Sequence, residues 1–220
     1  MLNSGADICP PGTTGRRAMF LTLVDFVGCF AFALSGGTRA VERKLDPFGI
    51  VFLAFVAATF GGIIRDVVIG AVPPVAFATW HYFAISCAAG FCCIFAYKQI
   101  ARLAAPVAVF DALGLGLYVV VGTRKAMDAG LSPLMAAVLG MITAIGGGLG
   151  RDILAVQTPM VLHKEIYALA ALIGALMVSV GDYYHLPAVP VAIAGGGASI
   201  LLRLAAMRWD WNLPPPAGRP

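Results

Sequence analysis

Charge-free apolar runs follow one another along the whole chain. Seven candidates stand out: Ala18–Gly37, Phe48–Ile69, Tyr82–Tyr97, Ala105–Gly122, Leu134–Val156, Ile166–Gly181 and Pro187–Ala206. A helix needs about 20 apolar residues, within a range of about 17–25, to cross the hydrocarbon core of a bilayer. The pattern therefore predicts an all-α membrane protein with seven transmembrane helices. The connections are short, so a single transmembrane domain is expected over 18–207. Residues 1–17 and 208–220 are rich in Pro and Gly and are predicted to be a disordered N-terminal tail and a cytoplasmic tail. Arg16-Arg17, the first apolar run and the small residues Ala31–Ala33 imitate a secretory signal. The internal repeat described next predicts that this segment stays in the fold.

The few polar interruptions are not scattered. Asp25 lies in span one, "GGIIRD" in span two, Asp111 in span four and "AIGGGLGRD" in span five. A shift of the sequence by 86 residues lays Asp25 on Asp111, Gly28 on Gly114, Gly36 on Gly122 and Pro47 on Pro133. The same shift lays Gly61-Gly62 on Gly147-Gly148, Arg65-Asp66 on Arg151-Asp152 and Pro73 on Pro159. The chain thus holds two copies, repeat one over 18–97 and repeat two over 105–181, with an extra helix at 187–206. Three spans per copy is an odd number, so the second copy enters the membrane from the opposite side. That predicts an inverted repeat about a pseudo-twofold axis in the membrane plane.

Membrane-depth Arg or Asp costs roughly 2.5–3.5 kcal/mol each on insertion scales, and such residues face the bundle interior or water. Adjacent residues on a helix point to different faces, so Arg65 and Asp66 are each expected to need another partner. Two readings stay open for these charges: a clamp between the repeats, or a polar pathway. Gly61, Gly62, Gly146, Gly147 and Gly148 sit beside them. Adjacent glycines invite a kink or local unwinding. Carbonyls freed at a break must be met by protein, water or an ion, because lipid offers nothing. Broken helices at matching places in two inverted halves mark ion or substrate sites. The candidate pathway is therefore Gly61, Gly62, Arg65, Asp66, Gly146, Gly147, Gly148, Arg151, Asp152, Asp25 and Asp111. Counted together, Asp25, Asp66, Asp111 and Asp152 outnumber Arg65 and Arg151, a lean toward cations. Arg39, Arg124 and Lys125 near span ends are candidates for gating charges or for snorkelling residues.

Composition agrees with this picture and excludes others. The chain is 60% hydrophobic and 12% charged with a net charge of +4, and its mean hydropathy is +0.89. No basic stripe interleaved with aromatics points to nucleic acid. Of Cys9, Cys29, Cys87, Cys92 and Cys93, four lie in apolar runs and none forms a metal-binding spacing. His81, His163 and His185 are scattered near span ends, so no metal or cofactor is expected. No catalytic motif is visible and an enzyme is not expected. Nine Lys or Arg lie on one side: Arg39, Arg43, Lys44, Lys98, Arg102, Lys164, Arg203, Arg208 and Arg219. Arg16, Arg17, Arg124 and Lys125 lie on the other. The positive-inside rule puts the C-terminus in the cytoplasm and the N-terminus outside, and Trp209 and Trp211 suit an interfacial belt.

The paired stretches "GGTRAVERKLDPFG…FGGIIRDVVIG" and "GTRKAMDAGLSP…GGGLGRDILAVQTP" resemble the prokaryotic branch of the trimeric intracellular cation channel (TRIC) family. The same group has also been described as glycine-transporter-like. The resemblance covers Phe20 to Pro214. It implies a seven-helix protomer, a homotrimer, and one hydrated cation path per protomer beside kinked spans two and five. The implied activity is permeation of monovalent cations, K+ first and Na+ not separated from it, in contact with membrane lipid. "GGIIRD" stands where animal members carry Lys-Glu-Val, so a prokaryotic plasma membrane is the expected location. A secondary transporter for a small solute such as glycine is the alternative on the same inverted repeat.

Overall fold

Asp46 and Pro47 start the second span. The Asp46 carboxylate accepts from the Gly49 amide at 2.7 Å, and Pro47 sits in the first turn, where an amide hydrogen would have no helical partner. At the fifth span Pro133 takes the same first-turn place after Ser132, whose side chain makes no capping bond. The computed structural model of the chain describes residues 13–103, 105–162, 165–209 and 211. These form α1 (Thr13–Glu42), α2 (Pro47–Val68), the short α3 (Val75–Ala78), α4 (Trp80–Ile100), α5 (Pro106–Asp128) and α6 (Pro133–Leu154). A 3₁₀ turn at Met160–Leu162 precedes α7 (Glu165–Tyr183) and α8 (Ala188–Arg208). Seven helices are long and apolar enough to cross a membrane, and no strand occurs among the described residues.

The helices outrun the apolar windows. α1 continues past Gly37 to Glu42, and α5 past Gly122 to Asp128, so Arg39, Arg124 and Lys125 are helical. Hydropathy stops at the first charge, whereas a last turn welcomes cations beside its carbonyl ends. α1 also begins ahead of Ala18, at Thr13. It is part of the core, with Cys29, Phe32 and Ala33 fully buried. Most of the expected tails, 1–17 and 208–220, lies outside the described residues.

α1 packs against α2 and α4, and α5 packs against α6 and α7. The two trios therefore have the same internal neighbours. They join through α1 on α5 and α2 on α6, and α8 covers the outer side of α5 and α7. The contacts across the join come in matched pairs. A Cβ on Gly61 would run into the Thr143 carbonyl, and one on Gly147 into the Ala57 carbonyl; residues 57 and 143 are themselves 86 apart. Gly28 lies under the Tyr118 ring and Gly114 under Phe32. Those two rings, also 86 apart, meet edge to face at 5.1 Å. The inverted 3+3 repeat plus an extra helix is thus observed in three dimensions.

The expected breaks are not. α2 is helical from Pro47 to Val68 and α6 from Pro133 to Leu154, without interruption at Gly61-Gly62 or Gly146–Gly148. Gly61, Gly146 and Gly147 serve a different purpose. A Cβ on Gly146 would stand 2.7 Å from the Gly61 Cα, so side-chain-free surfaces let α2 and α6 meet backbone to backbone. Sequence alone does not distinguish a glycine that weakens a helix from one that lets a neighbour approach.

Candidate ion pathway

Repeat one gathers Asp25 from α1, Gly62, Arg65 and Asp66 from α2, Tyr82 from α4 and Tyr118 from α5. Asp25, Arg65, Asp66 and Tyr118 are buried. Tyr82 donates to Asp25 Oδ2 at 2.6 Å. Arg65 Nε donates to Asp66 Oδ1 at 2.9 Å and its Nη2 lies 2.8 Å from the same oxygen. The expectation that neighbouring Arg65 and Asp66 could not pair is therefore corrected. Their Cβ atoms diverge, but the arginine is long enough to curl back around the helix. The second Asp66 oxygen accepts from the Val75 amide at 3.0 Å, at the start of α3. Tyr118 donates to the Ala58 carbonyl at 2.7 Å. A helical side chain covers the turn that precedes it, so the bare Gly62 leaves that carbonyl accessible.

Repeat two repeats the chemistry with Asp111, Gly148, Arg151, Asp152 and Tyr167. Arg151 Nε donates to Asp152 Oδ1 at 2.8 Å, and Asp152 Oδ2 accepts from the Met160 amide at 3.0 Å. Here the arginine also reaches further. Its Nη1 donates to Asp111 Oδ1 at 2.7 Å and to the Ser35 hydroxyl of repeat one, and Ser35 in turn donates to the Val107 carbonyl at 2.9 Å. One arginine thus serves two carboxylates of its own repeat and one hydroxyl across the join. Asp111 and Arg151 have no exposed surface.

The two clusters differ in access to water. A cavity of about 440 Å³ is lined by Asp25, Thr79, His81, Tyr82, Lys125 and Asp128, among others. Beneath it, sharing Asp25, Val75 and Tyr82 with it, is a constriction of about 10 Å³ bounded by Gly62, Arg65, Asp66 and Tyr118. Repeat two is closed at the matching place. A Cβ on Gly148 would stand 2.8 Å from the Tyr167 hydroxyl and 2.9 Å from Asp111 Oδ1, whereas the nearest atom to a Cβ on Gly62 is Arg65 Nη2 at 3.7 Å.

All the buried charges of the sequence-based pathway fall into these two clusters. The surplus of acid does not survive, because the sequence count omitted two arginines. Arg124 and Arg203 are as buried as the others, so buried Asp25, Asp66, Asp111 and Asp152 face buried Arg65, Arg124, Arg151 and Arg203. The surplus persists locally: Asp25 and Asp66 outnumber Arg65 around the constriction. Among the candidate gating charges, Arg124 is held by Asp182 at 2.6 Å and Arg39 by Glu42 at 2.8 Å. Lys125 lines the cavity. Arg203, on the cytoplasmic side of the loop count, is buried against Tyr167; without it the positive-inside count keeps its sign. His81 stacks between Phe26 and Trp80, and among the described residues no group of His, Cys, Asp or Glu could hold a metal ion.

Sequence reasoning missed Tyr82, Tyr167, Ser35, Asp182 and Arg203. The two tyrosines had a signal. Val75 and Met160, like Tyr82 and Tyr167, are 85 apart rather than 86. One residue drops out of register after the Arg-Asp motif, so the ungapped shift hides the match.

The family described as "Glycine transporter" matches residues 22–98 and again 108–183, once for each three-helix unit. This chain belongs to that family. Among its relatives, the UPF0126 membrane protein of Vibrio cholerae is 36% identical over 209 residues, which is 94% of this chain and 87% of the relative. The UPF0126 inner membrane protein YadS of Escherichia coli K12 is 36% identical over 198 residues, 89% of this chain and 96% of that one. The solved TRIC orthologue from Rhodobacter sphaeroides superposes with a TM-score of 0.81 at 31% identity, covering 88% of this chain and all of that one (100%). A prokaryotic TRIC channel crystallised in 0.5 M KCl gives 0.80 at 32%, covering 89% and 100%. The Ca2+-bound channel from C. elegans, at 13% identity and a TM-score of 0.61, shares the fold. The chain is a multi-pass membrane protein of the prokaryotic TRIC type.

Proposed function

We propose that this protein is a monovalent cation channel, permeable to K+, that works as a homotrimer with one hydrated path in each protomer. The observation that carries the reading is the cavity of about 440 Å³ that narrows onto Asp25, Asp66 and Gly62. Two carboxylates against one arginine leave that constriction net negative. A ring of carboxylates at a narrow point selects for cations. The likeness to solved TRIC channels supports the same reading. The path runs between α1, α2, α4 and α5, so α2 lines it directly, while α6 carries the matching half. Lys125, on the cavity wall, is the candidate gating charge, since Arg39 and Arg124 are held by carboxylates.

The location is the inner membrane, as in the E. coli relative, with the N-terminus and the cavity mouth outside. Cysteines introduced at Ser4 and at Arg219 test this. Ser4→Cys reacts with an impermeant thiol reagent from outside intact cells and Arg219→Cys does not. The opposite labelling reverses the orientation.

The function is tested by K+ efflux from liposomes holding the purified trimer. Asp25→Asn removes one of the two carboxylates and lowers efflux while the oligomer elutes unchanged. Unaltered efflux from an intact Asp25→Asn protein removes Asp25 from the path. A second reading, alternating-access transport of a small solute such as glycine, is favoured by the unequal access of the two halves. Saturable uptake with counterflow, in place of unitary conductance steps, supports that reading.

A further inference from the structure

The two repeats offer an internal comparison at matched positions. Asp25, Gly62, Arg65, Val75 and Tyr82 correspond to Asp111, Gly148, Arg151, Met160 and Tyr167. In repeat one the tyrosine turns to Asp25 and leaves the space beside Gly62 open. In repeat two Tyr167 also reaches its aspartate, Asp111, but its hydroxyl lies over Gly148 and occupies that space. Four of the five pairs are identical and only Val75 and Met160 differ, so a neighbour contributes to the difference. That neighbour is α8, which stands outside the repeat and packs on α5 and α7.

α8 brings Arg203. Its guanidinium carbon lies 4.7 Å from the centroid of the Tyr167 ring, and its Nη2 is 3.8 Å from Met160 Sδ. Arg203 is buried and its Nε has no hydrogen-bond partner. Among the described residues it forms no ion pair. A buried arginine without a carboxylate is costly. The face of an aromatic ring, dry and close, is what compensates it. Three more buried groups beside Tyr167 lack well-formed hydrogen bonds: Asp111 Oδ2, Arg151 Nη2 and the Tyr167 hydroxyl itself. Native structures rarely leave such atoms unpaired. Donors and acceptors in this arrangement suit water, and the Tyr167 ring holds the room they would need.

Arg203 also alters the charge. Asp111 and Asp152 against Arg151 leave repeat two as negative as repeat one. Arg203 cancels that surplus.

We propose that Arg203 is the lock of the repeat-two half of the path: by holding Tyr167 over Gly148 it keeps Asp111 and Arg151 dry and neutralises their surplus charge, and its release opens that half to water and cations. Arg203 is a positioning residue that acts through Tyr167. This rests on the reading of repeat one as a hydrated cation path.

The test pairs hydroxyl-radical footprinting of the purified trimer with K+ efflux from liposomes. Footprinting reports water beside tyrosine rings, so Tyr82 is an internal control for Tyr167. In the parent, Tyr82 is labelled and Tyr167 is protected. Arg203→Gln raises Tyr167 labelling by about thirtyfold, the scale of one desolvated cation–π contact, and raises efflux. Arg203→Met, which removes a buried charge and so does not burden folding, does the same. Arg203→Lys keeps the cation over the ring and keeps the protection. Tyr167 protected in folded Arg203→Gln and Arg203→Met overturns the lock, whatever the efflux. Labelling in Arg203→Lys equal to that in Arg203→Gln also overturns it, since any change at 203 then loosens the site. Labelling that follows the lock while no protein, parent included, passes K+ upholds the lock and removes the channel reading.

Discussion

Gly61 and Gly62 are neighbours in sequence with opposite surroundings, and alanine at each separates packing from permeation. A Cβ on Gly61 would overlap the Thr143 carbonyl oxygen and approach its carbon to 3.0 Å and the Gly147 amide nitrogen to 3.3 Å. Those atoms are backbone and cannot rotate aside, so α2 and α6 must separate. Overpacking of this kind costs about 3 kcal/mol, against about 1 kcal/mol gained from the helix preference of alanine over glycine. The net loss of about 2 kcal/mol lowers Tm by roughly 4–8 °C for a chain of this size. A Cβ on Gly62 meets nothing nearer than Arg65 Nη2 at 3.7 Å, so Gly62→Ala keeps the gain of about 1 kcal/mol and melts roughly 2–4 °C higher. The constriction beside Gly62 is about 10 Å³. A site needs about 10–15 Å³ to hold one water, so the added methyl excludes it. Gly62→Ala is therefore more stable and less permeable, a combination that general damage does not produce. The assay is thermal melting beside K+ efflux from liposomes. Full efflux through a stabilised Gly62→Ala protein places the constriction elsewhere, and a Gly61→Ala protein as stable as the parent refutes the backbone-contact role of that glycine.

Two further substitutions test the asymmetry of the repeats. The turn after α2 has Gly70 at φ +75°, whereas the matching turn after α6 has Val156 at φ +52° and 88% exposed. Val156→Gly relieves a β-branched residue in the left-handed region and stabilises by about 1 kcal/mol; an unchanged or lower Tm counts against strain at this turn. Arg151 serves Asp111, Asp152 and Ser35, while Arg65 is bonded to Asp66 beside the cavity. Arg151→Ala thus leaves two carboxylates buried and loses about 3–5 kcal/mol, with aggregation in size-exclusion profiles, while Arg65→Ala loses less. Equal losses would mean that the two halves share one environment.

The helix count and the inverted repeat were legible because both rest on local signals, apolar length and identities in a fixed register. The glycines were legible as special but not as contacts. Gly61 and Gly147 each depend on a carbonyl in the other repeat, at Thr143 and Ala57, and no reading of one segment contains that partner. The charges failed for a related reason. A hydropathy window that ends at Gly122 leaves Arg124 in a loop, and Arg203, near the end of the window 187–206, groups in sequence with the C-terminal charges. Both are buried in helices that extend further. Their partners, Asp182 and Tyr167, are distant in sequence.

The hardest feature to read was the inequality of the halves. An inverted repeat presents two copies of one chemistry, and identical motifs predict identical sites. Here Asp25-Arg65-Asp66 borders a cavity, whereas Tyr167 and Asp111 crowd the matching place beside Gly148. Symmetry is broken by the parts that do not repeat: α8, which packs mainly on the second trio, and the residue lost from register between the Arg-Asp motif and the next tyrosine. A pore needs this inequality. Two open clusters would leave the membrane with a standing leak, and two closed ones would leave no path. On the proposed reading, one hydrated half in series with one held shut gives a path that a single ring movement completes. The functional state of the protein is then decided where the sequence stops repeating itself.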